Sequence, residues 1–342
     1  MGPWPPWCGP ARMIRIVLSA AWLMVATAWL VVAISSSEAD DWLPFPTPSG
    51  AILVHRDCIH HVEHDFHVEA GSGGGDVLSH GPHLEALPPC PHAPKRLNVT
   101  TVRHSGEKAA SAGYYSDWAA YTQSTHPAGL GFMSSDWIVP AAPKSSGPVP
   151  GMSSSYLFNG LENSGGKAGT ATVILQPVLS YGKSGCVIDP LNFFQWHLIS
   201  FLVTNSGRAY CGARLSVQEG EPLRGVMRLG EDGQTWTVES TRLSNNQTST
   251  YTARLGDFKA DTAYLTLETM INYSCEAFPA SGSVTFSKNL LADTAGQSVR
   301  PEWVEKILHT ECRQRVHVDA GGDVTIAWDA DRSGAEFAPL VV

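Results

Sequence analysis

Charge is scarce in this chain: Asp, Glu, Lys and Arg make up 16% of its 342 residues, and the formal net charge of −9 is spread thinly. No long Lys/Arg run interleaves with aromatics, which argues against a nucleic-acid partner. CxxC pairs are absent, so the thiolate spacing of a zinc site is missing. G-x-S-x-G is absent too, since Gly151-Met-Ser-Ser-Ser155 lacks the second glycine. No H-E-x-x-H occurs, although His60-His-Val-Glu-His-Asp-Phe-His67 concentrates those residue types. Asp293-Thr-Ala-Gly296 has a displaced glycine and no second copy, which sets aside a paired-aspartate site. Helical periodicity is rare: only Arg300 to Cys312, with Pro301 in its first turn and Val304, Ile307 and Leu308 on one side, predicts a helix. No internal repeat is visible.

What is present points to a translocated chain. Arg12 and Arg15 precede an apolar run from Ile16 to Ile34, followed by Ser37-Glu-Ala39, the order of a signal peptide over residues 1–39. The run is long enough for an uncleaved signal anchor, which would be the one route to membrane association. Either way the expected location is extracellular or cell-surface. Setting Cys8 aside with the signal leaves Cys58, Cys90, Cys186, Cys211, Cys275 and Cys312, an even number that fits three disulfides in an oxidising compartment. Pairing in sequence order is the simplest of about 15 arrangements. Asn98, Asn246 and Asn272 each open an N-glycosylation sequon.

Two textures follow the signal. Residues 40–110 are rich in Pro, Gly and His, with Gly71-Ser-Gly-Gly-Gly75 and Pro88-Pro-Cys-Pro91, and read as an irregular pro-segment or appendage. Nine of the 13 histidines fall between His55 and His104. Without thiolate pairs or helical spacing they predict no metal; they predict a pH-sensitive segment, released or cleaved in acid as imidazoles become cationic and carboxylates neutralise. Residues 111–342 form the second texture: short runs rich in Val, Thr, Tyr, Trp and Phe between Gly, Asn, Ser and Pro turns, as in Thr235-Trp-Thr-Val-Glu239 and Ser283-Val-Thr-Phe286. This is an all-β pattern, an antiparallel β-sandwich or barrel.

Two strand-like segments carry polar groups where a core strand would carry aliphatic ones. Alternation in Thr170 to Leu179 puts Thr172, Ile174 and Gln176 on one face and Val173, Leu175 and Pro177 on the other. In Ala263 to Glu268 it separates Tyr264, Thr266 and Glu268 from Ala263, Leu265 and Leu267. If the apolar faces meet inside the sandwich, the polar faces line an outer concave surface where Gln176 and Glu268 could converge.

These residues resemble a known family. Ile174-Leu-Gln176 is similar to the motif around the catalytic glutamine of the eqolisins, the glutamic peptidases, and Ala263 to Glu268 to the strand ending in their catalytic glutamate. Ser116-Asp-Trp-Ala119, Trp137-Ile-Val-Pro140, Leu215 to Leu223 and Gly282-Ser-Val-Thr-Phe286 resemble further family segments in the same order, over roughly residues 114 to 290. The chain departs from the family at Leu157-Phe-Asn-Gly-Leu-Glu162, which lacks a tryptophan, and at Phe193-Phe-Gln-Trp-His-Leu198, where the family has a Trp/Tyr-rich stretch.

The resemblance implies a concanavalin-like β-sandwich, a secreted monomeric endopeptidase acting on polypeptides in acid, and no metal or organic cofactor. It implies Gln176 as oxyanion donor and Glu268 as general base. A carboxyl group with a reference pKa near 4.3 still takes a proton from water in acid, and a fixed amide N–H stabilises a developing oxyanion by roughly 3 kcal/mol. Trp118, Glu162, Trp196, Tyr264 and Thr266 are expected to bind substrate, whereas Trp137 is expected in the core. Competing readings are a non-enzymatic β-sandwich that binds carbohydrate or a surface partner on the same face, and an inactive homologue with a structural role.

Overall fold

A computed structural model of the chain describes residues 41–45, 52–62, 67–70, 76–80, 83–96, 115–145, 153–163, 173–204, 208–272 and 274–332. The expected signal peptide, Asn98 and Gly71 to Gly75 lie outside the described residues. The chain divides into residues 1–42 and a unit of residues 43–342. Three short 3-10 turns, Arg56–Cys58, Pro190–Asn192 and Cys275–Ala277, punctuate the strands, and no α-helix occurs among the described residues.

Seven short strands come first: β1 (Trp42–Phe45), β2 (Ile52–His55), β3 (Ile59–His61), β4 (His67–Ala70), β5 (Asp76–His80), β6 (His83–Leu87) and β7 (Lys95–Arg96). Then follow β8 (Tyr115–Ile138), β9 (Ser154–Glu162), β10 (Ile174–Tyr181), β11 (Trp196–Val203), β12 (Ala209–Cys211), β13 (Leu215–Val217) and β14 (Pro222–Leu229). The chain continues through β15 (Thr235–Arg242), β16 (Gln247–Arg254), β17 (Ala260–Asn272), β18 (Ser283–Asp293), β19 (Ser298–Val299), β20 (Val304–Ile307), β21 (Arg315–Val318) and β22 (Val324–Ala327).

β1, β2 and β7 form a small sheet of their own, and the main strands build two layers. The first runs β11-β10-β9-β17-β8, all antiparallel, with β12 and β13 beyond β11. The second runs β8-β14-β15-β16, with β18 on the other side of β8. β8 serves both because its register shifts between Thr125 and Leu130, around Pro127 and Gly129, which bends one 24-residue strand across the layers. Between the layers lie the leucines of one strand face, Leu175 and Leu179 of β10 and Leu265 and Leu267 of β17, against Met227, Trp236, Val238 and Tyr251. First-layer side chains press on the backbone of Gly225, where an added Cβ would sit 2.2 Å from Asn159 Oδ1 and 2.6 Å from Pro177 Cβ. Outside this core, Arg224 and Lys288 grip Asp136 from β14 and β18, at 2.6 and 2.9 Å. Burial pushes that carboxyl's pKa up, but the two hydrogen-bonded cations outweigh it and hold it below the ordinary range.

Three disulfides form in sequence order, Cys58–Cys90, Cys186–Cys211 and Cys275–Cys312, as the simplest arrangement expects. Two other expectations are corrected. Residues 300–312 are not helical: Val304–Ile307 pairs antiparallel with Gln123 to Ala120 of β8. The spacing of Val304, Ile307 and Leu308 imitates a helix stripe, but these side chains stay exposed, so no apolar face is buried to favour a helix over an open sheet edge. Nor are the described residues between 41 and 96 irregular. β3 adds in parallel to β12, and β4 in parallel to β16 with β5 and β6 beyond it. Strands of three to five residues are too short to show periodicity, and only β3 and β4 take their partners directly from sandwich edges.

Candidate functional site

Two-residue alternation sends the leucines of β10 and β17 into the interlayer core, so the even-numbered residues face the opposite side of the first layer. Three rows of side chains cross that side. The first holds Phe201, Gln176, Gly160 and Tyr264: Gln176 opposes Phe201, Gly160 opposes Tyr264, and the constant register from Leu175–Leu161 to Val178–Phe158 sets Gln176 opposite Gly160. The second holds Ile199, Val178, Phe158 and Thr266. The third holds His197, Ser180, Tyr156 and Glu268, with Trp118 of β8 next in line. Glu162 lies one step beyond the first row, between Ile174 and Thr262.

Gln176 and Glu268 therefore share a face, two strands apart and four residues apart along the strands. On a flat sheet that is about 10 Å by 13 Å between Cα atoms. Both side chains are wholly buried. Neither amide atom of Gln176 has a hydrogen-bond partner among the described residues, nor does Thr266 Oγ1. A buried polar group left unmatched costs roughly 1–3 kcal/mol, so native structures keep such groups mainly where they have another use.

The surrounding groups set the electrostatics. Burial, then the charge of Glu268, pushes the Tyr156 pKa far above its ordinary value. Tyr264 is driven the same way by burial and then by the Glu162 charge, with a hydrogen bond to that carboxylate adding to it. Burial pulls His197 below its ordinary pKa, partly opposed by its bond to the Asn192 carbonyl. Nε2 donates to that carbonyl at 3.1 Å, which leaves Nδ1 of the neutral ring as a buried acceptor with no hydrogen-bond partner among the described residues.

Of the substrate-binding residues expected from sequence, Trp118, Glu162, Tyr264 and Thr266 join this face. Trp118 is edge-on to Tyr121, Phe158 and Tyr264, with ring centroids 4.8–5.7 Å apart. Trp196 does not join it. It belongs to the interlayer core beside Tyr181, because the alternation phase of β11 turns His197 toward the site instead. Both faces of β11 are buried, so its apolar sequence carries no sign of which residue faces where. Tyr156 and His197 carry no sequence mark of the site, because β9 and β11 are buried on both faces. Asn272 is corrected as a glycosylation site, being wholly buried with Oδ1 accepting from Ser274 N–H at 3.0 Å. Asn246 is exposed at a turn with φ 58°. Asp293 of the displaced Asp-Thr-Ala-Gly string is a turn former, accepting from Ala295 and Gln297 N–H.

The face is covered, contrary to the expected open surface. Leu43, Phe45 and Val54 of β1 and β2 are buried in one cluster with Trp118, Phe158, Val178, Phe201 and Tyr264. Phe45 meets Phe201, the cross-strand partner of Gln176, edge to face at 6.0 Å. Gly185 makes room for that ring: a Cβ there would sit 1.9 Å from it.

Known proteins add the following. No family model and no curated protein matches the chain. Solved structures do resemble it. One of SCP-B, a member of the eqolisin family of peptidases in complex with the tripeptide Ala-Ile-His, is 14% identical at a TM-score of 0.44, covering 63% of this chain and 99% of that one. Scytalido-glutamic peptidase with a peptide-based transition-state analogue is 13% identical at 0.46, with the same coverage. Aspergilloglutamic peptidase from Aspergillus niger is 19% identical at 0.35, over 51% of this chain and 98% of that one.

Proposed function

We propose that this chain is a secreted, acid-acting glutamic endopeptidase, made as a precursor whose own N-terminal strands occupy the substrate face. The observation that carries the reading is the wholly buried Gln176 amide, without a protein hydrogen-bond partner among the described residues, on the same face as Glu268. Three disulfides fit an oxidising compartment.

The reaction follows from the two groups. Glu268 takes a proton from water, whose oxygen attacks the peptide carbonyl carbon. Negative charge moves to the carbonyl oxygen, where the Gln176 N–H donates to it. Collapse breaks the C–N bond, and Glu268 returns the proton to the departing amine. The span supports this division of labour. Each side chain reaches about 5 Å from its Cα, so two strands and four residues of separation leave room for a substrate carbonyl and a water between them. Thr266 and Phe158 form the floor between the two rows, and Trp118 and Tyr264 its aromatic wall.

The test is hydrolysis of a quenched peptide between pH 2 and 5, with pepstatin present, after acid treatment of the full chain. Gln176→Ala is expected to lower kcat by about 100-fold to 1,000-fold, and Glu268→Gln to abolish turnover. Undiminished activity in Glu268→Gln would sink the mechanism. A wild-type chain that is inactive even after residues 41–96 are removed would favour a structural role.

A further inference from the structure

Outside the catalytic face, the disulfide Cys58–Cys90 brings together two segments that are distant in sequence, His55-Arg-Asp-Cys58 and Cys90-Pro-His92. The first ends β2 and turns through the 3-10 segment Arg56–Cys58, capped by His55, whose Nδ1 accepts the Asp57 N–H at 3.3 Å. The second folds back on the bridge, with His92 N–H donating to Cys90 Sγ at 3.4 Å. The result sets His55, Asp57 and His92 side by side, with one ligand atom from each within 4.8 Å of the others.

We propose that His55, Asp57 and His92 form a binding site for a divalent transition-metal ion, with zinc as the reference ion. Geometry comes first. Asp57 Oδ2 lies 3.4 Å from His55 Nδ1 and 3.7 Å from His92 Nε2. A tetrahedral ion with bonds of about 2.0–2.1 Å requires its ligand atoms to stand about 3.3–3.4 Å apart. Two edges of the site are therefore close to the required length, and rotation of the partly exposed His92 ring closes the third.

Electrostatics points the same way. An ion between His55 Nδ1 and the Asp57 carboxylate oxygen, 3.4 Å apart, takes the Nδ1 lone pair from its 3.3 Å contact with the Asp57 N–H and is attracted by the carboxylate charge. The imidazoles of His55 and His92 stack at 3.6 Å between centroids, 24° from parallel. A proton on each would set two like charges face to face, whereas one divalent ion serves both rings. Two imidazoles and one carboxylate are a zinc donor set. Asp57 is 63% exposed, so the ion has a path from solvent and water can complete its coordination. Because the disulfide holds both segments, the site is preorganised before metal arrives, which lowers the ordering cost of binding. The proposal stands independently of the peptidase reading: none of the three residues lies on the Gln176 face.

The test uses the full chain, stripped with a chelator and titrated with Zn2+ by calorimetry at pH 7.5. One ion per chain is expected. His92→Gln and Asp57→Asn should each weaken binding by at least the roughly tenfold loss known for outer-shell changes, with Cys58–Cys90 intact by mass spectrometry. At pH 5 protons compete for the imidazoles, so affinity should fall by at least about tenfold. Should the variants fail to fold, the visible spectrum of the Co2+-loaded wild-type chain decides: a tetrahedral spectrum supports the site and an octahedral one overturns it. Absence of saturable 1:1 binding, or wild-type affinity in both folded variants, also overturns it.

Discussion

At the scale of single residues, the unmatched Gln176 amide sets stability against function. A group that costs roughly 1–3 kcal/mol to bury is removed by an apolar side chain of similar size. Gln176→Leu is therefore expected to raise unfolding stability by about 1–2 kcal/mol in urea while eliminating hydrolysis. A loss of stability instead would mean that the amide is satisfied in the folded protein. Gly160, opposite Gln176 and Tyr264, contributes no side chain to that row, and Ile174 and Phe158 pack within 3.6 Å of where its Cβ would stand. Gln176 was legible because its strand alternates cleanly, with Leu175 and Leu179 marking the core phase. His197 and Trp196 were not, since β11 is buried on both sides and alternation there marks nothing.

Among the elements, β1 and β2 matter most for the site. Phe45 is held against Phe201 and over Gly185, a contact that only a residue without a Cβ permits. Gly185→Ala would push the ring aside, loosening β1 from the face. The expected result is faster cleavage of residues 41–62 by an added protease at neutral pH, with the sandwich still resistant. Unchanged protection would show that Phe45 is not what holds the cover. The cover was hidden from sequence because its strands are three to five residues long and separated by Gly, Pro and His. β1 and β2 pair only within a small separate sheet with β7, while β3 and β4 take edges supplied by β12 and β16. The stretch 300–312 misled in the opposite sense, since a helix-like spacing in a segment that buries no stripe gives way to pairing with β8.

For the molecule as a whole, the join between the N-terminal strands and the sandwich responds to pH. His60 of β3 stacks on Tyr210 of β12 at 5.4 Å. Beside them the buried Asp76 carboxylate accepts from the Tyr210 hydroxyl and pairs with Arg208 at 3.7 Å. Burial, then the Arg208 charge, lowers the His60 pKa below 6.5, with His61 adding to that; the carboxylates of Glu85 and Asp76 only partly oppose it. The docked state thus binds fewer protons than the undocked one. Its stability is complete above pH 6.5 and falls as pH drops below that value toward the lowered folded pKa. Hydrogen exchange of residues 52–62 is expected to accelerate between neutral pH and pH 5, after correction for intrinsic rates, and His60→Gln should flatten the change. Exchange that stays constant in the wild type would remove His60 as an acid trigger.

Sequence by itself determined the local facts: a β-rich chain, an even set of six cysteines after the expected signal, and the phase of β10 and β17 that turns Gln176 and Glu268 away from the leucine core. Each depends on neighbours in the chain, on a period of two or on a count of cysteines. Only the tertiary structure decided what lies over that face. Leu43, Phe45 and Val54 reach it from more than a hundred residues upstream of Gln176. The meeting of His55 and Asp57 with His92 was decided in the same way, across a disulfide that spans 32 residues. Side-chain parity is a local property of an extended backbone, whereas coverage and convergence are set by which distant surfaces gain most from being buried together.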